Sequence, residues 1–164
     1  MTADTGTGVR IATASGLAMT KQGGRMETIR VMLDEGAFAP ERAYPWDAGM
    51  DLRSPVDVNI LPWCREIIDT GVHAEIPKGC VGLLTSKSGL MAKCGVLNTG
   101  TIDAGYTGPL RAVLFNFGDE VLEVRRGMKI TQLVILPVMT PAPEIVTELR
   151  TTERGDKGFG STGR

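Results

Sequence analysis

The sequence predicts an all-β fold, a sandwich or a barrel, with one short helical turn. Three observations carry this. Short runs that alternate apolar and polar residues, or are wholly apolar, recur at close spacing with Gly and Pro between them. The 21 glycines suit a turn-rich β protein. No segment carries a long apolar stripe of 3.6-residue period with caps at its ends.

Residues 1–25 are rich in Gly, Thr, Ala and Ser without a sustained period. They read as a disordered extension, or as sequence upstream of a start at Met26. A β domain is expected over residues 26–150. Ile29, Val31 and Leu33 alternate with Thr28, Arg30 and Met32, as in a half-buried strand. Val72, Ala74 and Ile76 repeat the pattern before a Pro77-Lys78-Gly79 turn. Cys80 to Leu84 is a short apolar run, and a helical turn is expected at Ser88 to Lys93. Leu110 to Phe117 is β-rich, and Gly118-Asp119 turns it into Glu120 to Val124. Ile130 to Leu136 is a further strand, stopped by Pro137. Pro141 and Pro143 open a less regular segment, and residues 151–164 form a glycine-rich tail.

Composition narrows the function classes. The chain has 164 residues, enough for one domain with a real core, and a net charge of −1 with scattered Lys and Arg. That argues against a nucleic-acid coat or a membrane-surface protein, though a local cluster of donors would still suit a small anion. No apolar run approaches a membrane span, and the N-terminus lacks an apolar signal core. Cys64, Cys80 and Cys94 form no C-x-x-C pair and read as reduced thiols of a cytoplasmic protein. The only histidine, His73, stands in an alternating run and reads as an exposed strand residue. A zinc site built on two histidines is impossible. Chemistry must rest on carboxylates, backbone amides, hydroxyls and cations, with or without a bound metal.

Five segments have the residue types for such chemistry. Gly49-Met50-Asp51 offers a carboxylate that can meet a hard cation directly or through water, or is simply turn chemistry. Ser86-Lys87-Ser88-Gly89 combines hydroxyls, a cation and a glycine, which suit an anion; the alternative is an ordinary serine helix cap. In Asn98 to Gly108, two Gly-bearing turns flank Asp103, a candidate general base, and Tyr106, a flat surface; a plain β-hairpin is the alternative. In Gly127-Met128-Lys129-Ile130-Thr131-Gln132-Leu133, Gln132 is a polar residue in an otherwise apolar strand, so a ligand or a subunit contact is expected there. In the tail, four glycines from Gly155 to Gly163 allow several N–H groups to point at one anion. Arg154 is a forked phosphate donor, and Ser161 and Thr162 add hydroxyls. No Gly-Lys-Ser/Thr motif occurs, so this is not a Walker A loop. Phe159 argues against a functionless terminus, because an aromatic there has no core to join unless the tail closes over something flat.

These five segments, in this order and spacing, resemble the five motifs of the trimeric dUTP pyrophosphatase (dUTPase) family, over roughly Thr28 to Gly163. The most specific part is Phe159-Gly160-Ser161-Thr162-Gly163 after Arg154, together with Gly100 to Gly108. The resemblance implies a jelly-roll-like β subunit in a threefold homotrimer whose sites draw on more than one subunit. It implies a Mg²⁺-dependent hydrolysis of dUTP to dUMP and pyrophosphate, which supplies dUMP for thymidylate synthesis and keeps uracil out of DNA. By the same resemblance Asp103 holds and activates the attacking water. Tyr106 packs beneath the deoxyribose and excludes a 2′-hydroxyl. The backbone of Gly100, Thr101 and Ile102 pairs with the uracil edge. Lys87, Ser88, Gly89 and Gln132 serve the phosphates, and Asp51 is tied to Mg²⁺ through water. Arg154, Gly160, Ser161 and Thr162 grip the terminal phosphates, Phe159 covers the base, and the tail closes over a site formed by its neighbours.

The chain departs from the family pattern at Lys87, where many members have Arg, and at Thr107, where a longer polar residue is common. Its stretch from Gly89 to Asp103 is also shorter than in some members, so only backbone contacts near Gly100 carry over. The related dCTP deaminases need an additional glutamate, but Val113 stands at that position and cannot transfer protons; Ala92 stands where they have an arginine. A non-catalytic, nucleotide-gated regulator on the same fold is a second rival. Asp103 and the complete tail favour turnover.

Overall fold

The computed structural model describes residues 28–157; the N-terminal segment and Gly158 to Arg164, with the expected contacts of Phe159, Gly160, Ser161 and Thr162, lie outside it. Nine strands and one helix follow in order: β1 (Val31–Leu33), β2 (Gly49–Arg53), β3 (Val58–Ile60), β4 (Arg65–Ala74), β5 (Cys80–Thr85), α1 (Ser88–Cys94), β6 (Val96–Asp103), β7 (Pro109–Asn116), β8 (Leu122–Val124) and β9 (Lys129–Pro137). All pairings are antiparallel. The order is β1-β4-β7-β6-β5-β9-β2 in a seven-stranded sheet, with β3-β8 as a separate pair. This is the mostly β, jelly-roll-like architecture expected.

Alternation builds the core. In β7, Leu110, Ala112, Leu114 and Asn116 turn inward and are buried, while Arg111, Val113 and Phe115 face out. Two apolar clusters result. One joins Met50, Leu52, Val72, Leu84, Leu110 and Leu133; the other joins Ile60, Ile68, Leu114, Val124 and Ile130. Asn116 ties the second together by donating to the Ile60 and Glu120 carbonyls.

Several elements differ from the sequence reading. β4 begins at Arg65, well before Val72. Its Asp69-Thr70-Gly71 stretch looks like a turn but is an irregularity within the strand, where the pairing with β7 shifts register. β2 and β3 were not expected as strands. Gly49 to Arg53 is extended because β9 pairs with it and buries Met50 and Leu52. β1 is shorter than Thr28 to Leu33, and Val31 is exposed because β1 is an edge strand. Gly100 is not a turn; it lies within β6.

The helix is near its expected place, but no serine caps it. Its N-cap is Lys87, without a side-chain cap bond. Ser86 instead pins two strands: its Oγ accepts from the Asn98 N–H at 2.7 Å and donates to the Asn98 carbonyl at 3.0 Å. The three cysteines are unpaired. No helix among the described residues is long and apolar enough to cross a membrane.

Candidate active site

The sheet opens where β6 leaves β7. The two pair only through Val96, Asn98 and the residue between them. At that point the Asn98 side chain takes over: Oδ1 accepts the Val113 N–H at 3.0 Å, and Nδ2 donates to Thr131 Oγ1. Thr131 in turn donates to the Thr85 carbonyl at 3.0 Å. Asn98 and Thr131 are both buried, so this closed network fixes the point of divergence. Beyond it, Thr99 to Asp103 pair on one edge with β5. On the other edge lies a cleft of about 250 Å³, lined by Thr99, Gly100, Thr101, Ile102, Asp103, Tyr106, Pro109, Arg111 and Val113 with Leu84 as its floor. In an antiparallel strand alternate residues direct N–H and C=O away from the paired edge, here into the cleft.

The turn after β6 sets Tyr106 against Asp103. The Tyr106 N–H donates to the Asp103 carbonyl at 3.1 Å, with Gly105 at φ 95°, a conformation that favours glycine. The Tyr106 ring folds back over Gly108. A Cβ on Gly108 would lie 2.6 Å from Tyr106 Cζ, so only glycine leaves the ring its seat. Tyr106 Oη donates to the Pro109 carbonyl at 3.0 Å and closes that wall.

A second constellation lies at β2 and β9. Asp51, buried on β2, accepts Lys87 Nζ on Oδ1 and Lys129 Nζ on Oδ2, the latter at 2.9 Å. Lys129 also pairs with Glu41 at 3.0 Å, and Glu41 with Arg53. Burial alone would raise the Asp51 carboxyl; the Lys87 and Lys129 hydrogen bonds outweigh it and hold the group below the usual carboxylate range. Hydrogen bonds to Asp51, then Glu41, raise the Lys129 ammonium. Lys129 and Arg53 likewise lower Glu41. Three cations against two carboxylates leave the cluster with one excess positive charge, which suits an anion. Gln132 is half-buried beside it, and its Nε2 donates to the Ser86 carbonyl at 3.3 Å.

The expected residues therefore fall into groups. Gly100, Thr101, Ile102, Asp103 and Tyr106 share the cleft, while Asp51, Lys87 and Gln132 share the cationic cluster. Ser88 and Gly89 open α1 next to Lys87. No side chain of the cluster lines the cleft. Arg154 stands apart on the exposed C-terminal arm, where its Nε donates to the Lys157 carbonyl at 3.2 Å. Lys129 and Glu41 were missed as site residues. Glu41 lies in an irregular stretch with no motif, whereas Lys129 stands three positions before Gln132 in a segment already singled out.

The dUTPase family model matches residues 36–163, 128 of the chain's 164 residues. The chain belongs to the dUTPase family. A deoxyuridine 5'-triphosphate nucleotidohydrolase of Clostridium novyi is 46% identical over 133 residues, covering 79% of this chain and 94% of that protein. A dUTPase variant of Staphylococcus bacteriophage 80alpha, solved with dUpNHpp, superposes with a TM-score of 0.79 at 35% identity, covering 85% of this chain and all of the other. A mutant dUTPase from phage phi11 of S. aureus, whose structure reveals the coordination of a structural Mg(II) ion, gives a TM-score of 0.70 at 34% identity, covering 76% of this chain and 99% of the other. Membership in the dUTPase family makes the chain a hydrolase, and the matched span reaches through the tail to Gly163.

Among the described residues no three His, Cys, Asp or Glu side chains converge. Asp51 is a single carboxylate, and each of its oxygens already accepts from one ammonium group. Each oxygen retains about one further acceptor site. Asp51 would hold a hydrated Mg²⁺ only through water, and the excess positive charge around it would admit that dication only together with an anionic ligand.

Proposed function

We propose that the protein hydrolyses dUTP to dUMP and pyrophosphate, by in-line attack on the α-phosphate of a water held by Asp103. The observation that carries this is the cleft between β6 and β7. It offers a free strand edge for the donors and acceptors of a pyrimidine, an aromatic wall for a sugar, and a carboxylate at its rim. Gly100 supports the reading. A Cβ there would meet Leu84 at 3.6 Å, ordinary contact, so core packing does not demand glycine while close approach of a base would.

Asp103 orients the water and accepts its proton, while Lys87, Ser88, Gly89 and Gln132 hold the phosphate chain. Asp51 would hold Mg²⁺ through water, and the ion would supply neutralisation of the triphosphate charge. Phe159 covers the base, and Arg154, Gly160, Ser161 and Thr162 meet the charge that moves onto the leaving pyrophosphate.

Geometry favours a site shared between subunits of a trimer. Register places Thr99, Thr85, Gln132 and Asp51 in one row across β6, β5, β9 and β2, three strand spacings or about 14 Å. Asp103 is four residues further along β6, so it lies about 20 Å from Asp51 along the sheet. The water must lie within roughly 3–3.5 Å of the phosphorus it attacks, and the neutralising cations must meet oxygens of the same short triphosphate. One chain keeps them apart; apposed copies bring them together. Two further features support assembly. Every residue from Leu136 to Lys157 is exposed, including Ile145 at 99%. Exposed Ile67 and Leu97 share an outer sheet face with Phe115, beside exposed Trp63 and Phe117.

The deciding experiment is pyrophosphate release from dUTP by the purified protein, with sedimentation under the same conditions. Release by a trimer is expected; a fully active monomer would contradict the shared site. Tyr106 gives a second test. The unmodified protein is expected to prefer dUTP strongly over UTP, and Tyr106→Ala to lose that preference. Gly108→Ala should unseat the same ring and relax discrimination by about tenfold or more, measured as the ratio of kcat/KM values. Unchanged discrimination in both variants would remove Tyr106 from the sugar pocket.

A further inference from the structure

His73 is not the exposed strand residue that its sequence context predicts. Its side chain is only 17% exposed, and both ring nitrogens have partners. Nδ1 lies 2.8 Å from the Thr107 carbonyl oxygen, and Nε2 lies 3.2 and 3.3 Å from the two carboxylate oxygens of Asp34. Both partners are acceptors. A carbonyl oxygen has no proton to give, so the ring must donate from Nδ1. Nε2 can then donate to an ionised Asp34 only if the ring is an imidazolium. The neutral ring would turn a lone pair toward the carboxylate.

The residues it joins are far apart in sequence. Asp34 follows β1, and its N–H donates to the Gly71 carbonyl at 2.8 Å. Thr107 sits between Tyr106, the wall of the cleft, and Gly108, the seat of its ring. On its inner side this turn is held by the Tyr106 bonds to Asp103 and Pro109; on its outer side His73 holds it.

We propose that His73, doubly protonated, is a positioning residue that latches the Tyr106 to Gly108 turn to Asp34 and thereby sets the wall of the nucleoside cleft; this rests on the reading of that cleft given above. Among the described residues the charged groups around the ring are few. Asp34 comes from the corner after β1. Asp69 lies on β4 and is paired with Arg111 of β7 at 3.2 Å. Arg30 and Glu75, paired at 3.1 Å, border the same hollow as His73 and Thr107. The Thr107 carbonyl raises the imidazole above its ordinary 6.5, burial opposes this, and Asp34 and Asp69 add to the rise. The sign follows. The latch is fully engaged below about 6.5 and is lost as pH rises through the higher folded-state value.

Because the chain has one histidine, its ring can be titrated by proton–nitrogen NMR in the full-length protein without assignment by mutation. The ring is expected to titrate above 6.5 with both nitrogens protonated below that point, and to titrate lower in Asp34→Asn. In steady-state kinetics, KM for dUTP should rise about tenfold through the same titration, the scale of one hydrogen bond to a charged group, and more than kcat changes. His73→Gln, which keeps a donor but does not titrate, should lose that step; the titration of dUTP itself is common to both proteins. A ring that titrates at or below 6.5 would overturn the latch, as would KM profiles that superimpose for the unmodified protein and His73→Gln. If the unmodified chain released no pyrophosphate from dUTP, the reading of the cleft would fall and the latch with it. Normal turnover with superimposed profiles removes the latch alone.

Discussion

Asp103→Asn is expected to leave the fold, the assembly and dUTP binding intact while removing most turnover, by about 10²–10⁴-fold, the usual contribution of a positioned base. The side chain can be changed at little structural cost. Asp103 is the last residue of β6 and is exposed; the structure engages its backbone carbonyl, through the Tyr106 N–H, and that bond survives the substitution. An amide has the size of a carboxylate but cannot take the proton of an attacking water. KM and nucleotide binding should therefore change far less than kcat. Single-turnover hydrolysis with a parallel binding measurement separates the two, and near-normal turnover in the variant would remove Asp103 from the reaction.

Deleting residues 153–164 should have an effect of comparable size for a different reason. From Leu136 to Lys157 no described residue is buried, and the last backbone hydrogen bond from this arm to the body runs from the Val138 N–H to the Gly79 carbonyl. None of the described residues 153–157 is buried, so the fold and the assembly are expected to persist. Ordering a glycine-rich segment costs conformational entropy that only base stacking and phosphate contacts can offset. Loss of those contacts should lower turnover by at least about 10²-fold, the scale of one positioned transition-state donor. Arg154→Ala should lose more of this than Phe159→Ala, because Arg154 also meets charge that shifts onto the leaving pyrophosphate. Steady-state kinetics on the three variants, with circular dichroism as a fold control, provides the comparison. A well-folded truncated protein that hydrolyses dUTP normally would reduce the tail to a linker.

The strands that could be read in advance are those whose local pattern is unbroken, such as Cys80 to Leu84, Leu110 to Phe117 and Ile130 to Leu136. The first half of β4 was hidden because Asp69-Thr70-Gly71 has turn chemistry, whereas β7 pairs with Arg65 to Asp69 and holds that half in the sheet. β2 was hidden because Gly49 and Asp51 look like a turn until β9 is set beside them. In both places pairing with a distant strand overrides the local preference.

By itself the sequence determined which residue types this protein can use: one imidazole, few candidate carboxylates, a hydroxyl-rich lysine segment and a glycine-rich tail. It also determined the all-β class, because alternation and turn residues act over a few positions. Only the tertiary structure decided which of those groups meet. Asp51 faces Lys87 and Lys129, which are 36 and 78 positions away in the chain, and His73 joins Asp34 to Thr107. Such encounters depend on strand order and register, and a shift of one residue would turn each side chain to the opposite face. The same register opens the cleft where β6 leaves β7, and three strand spacings separate β6 from β2, which carries Asp51 of the cationic cluster.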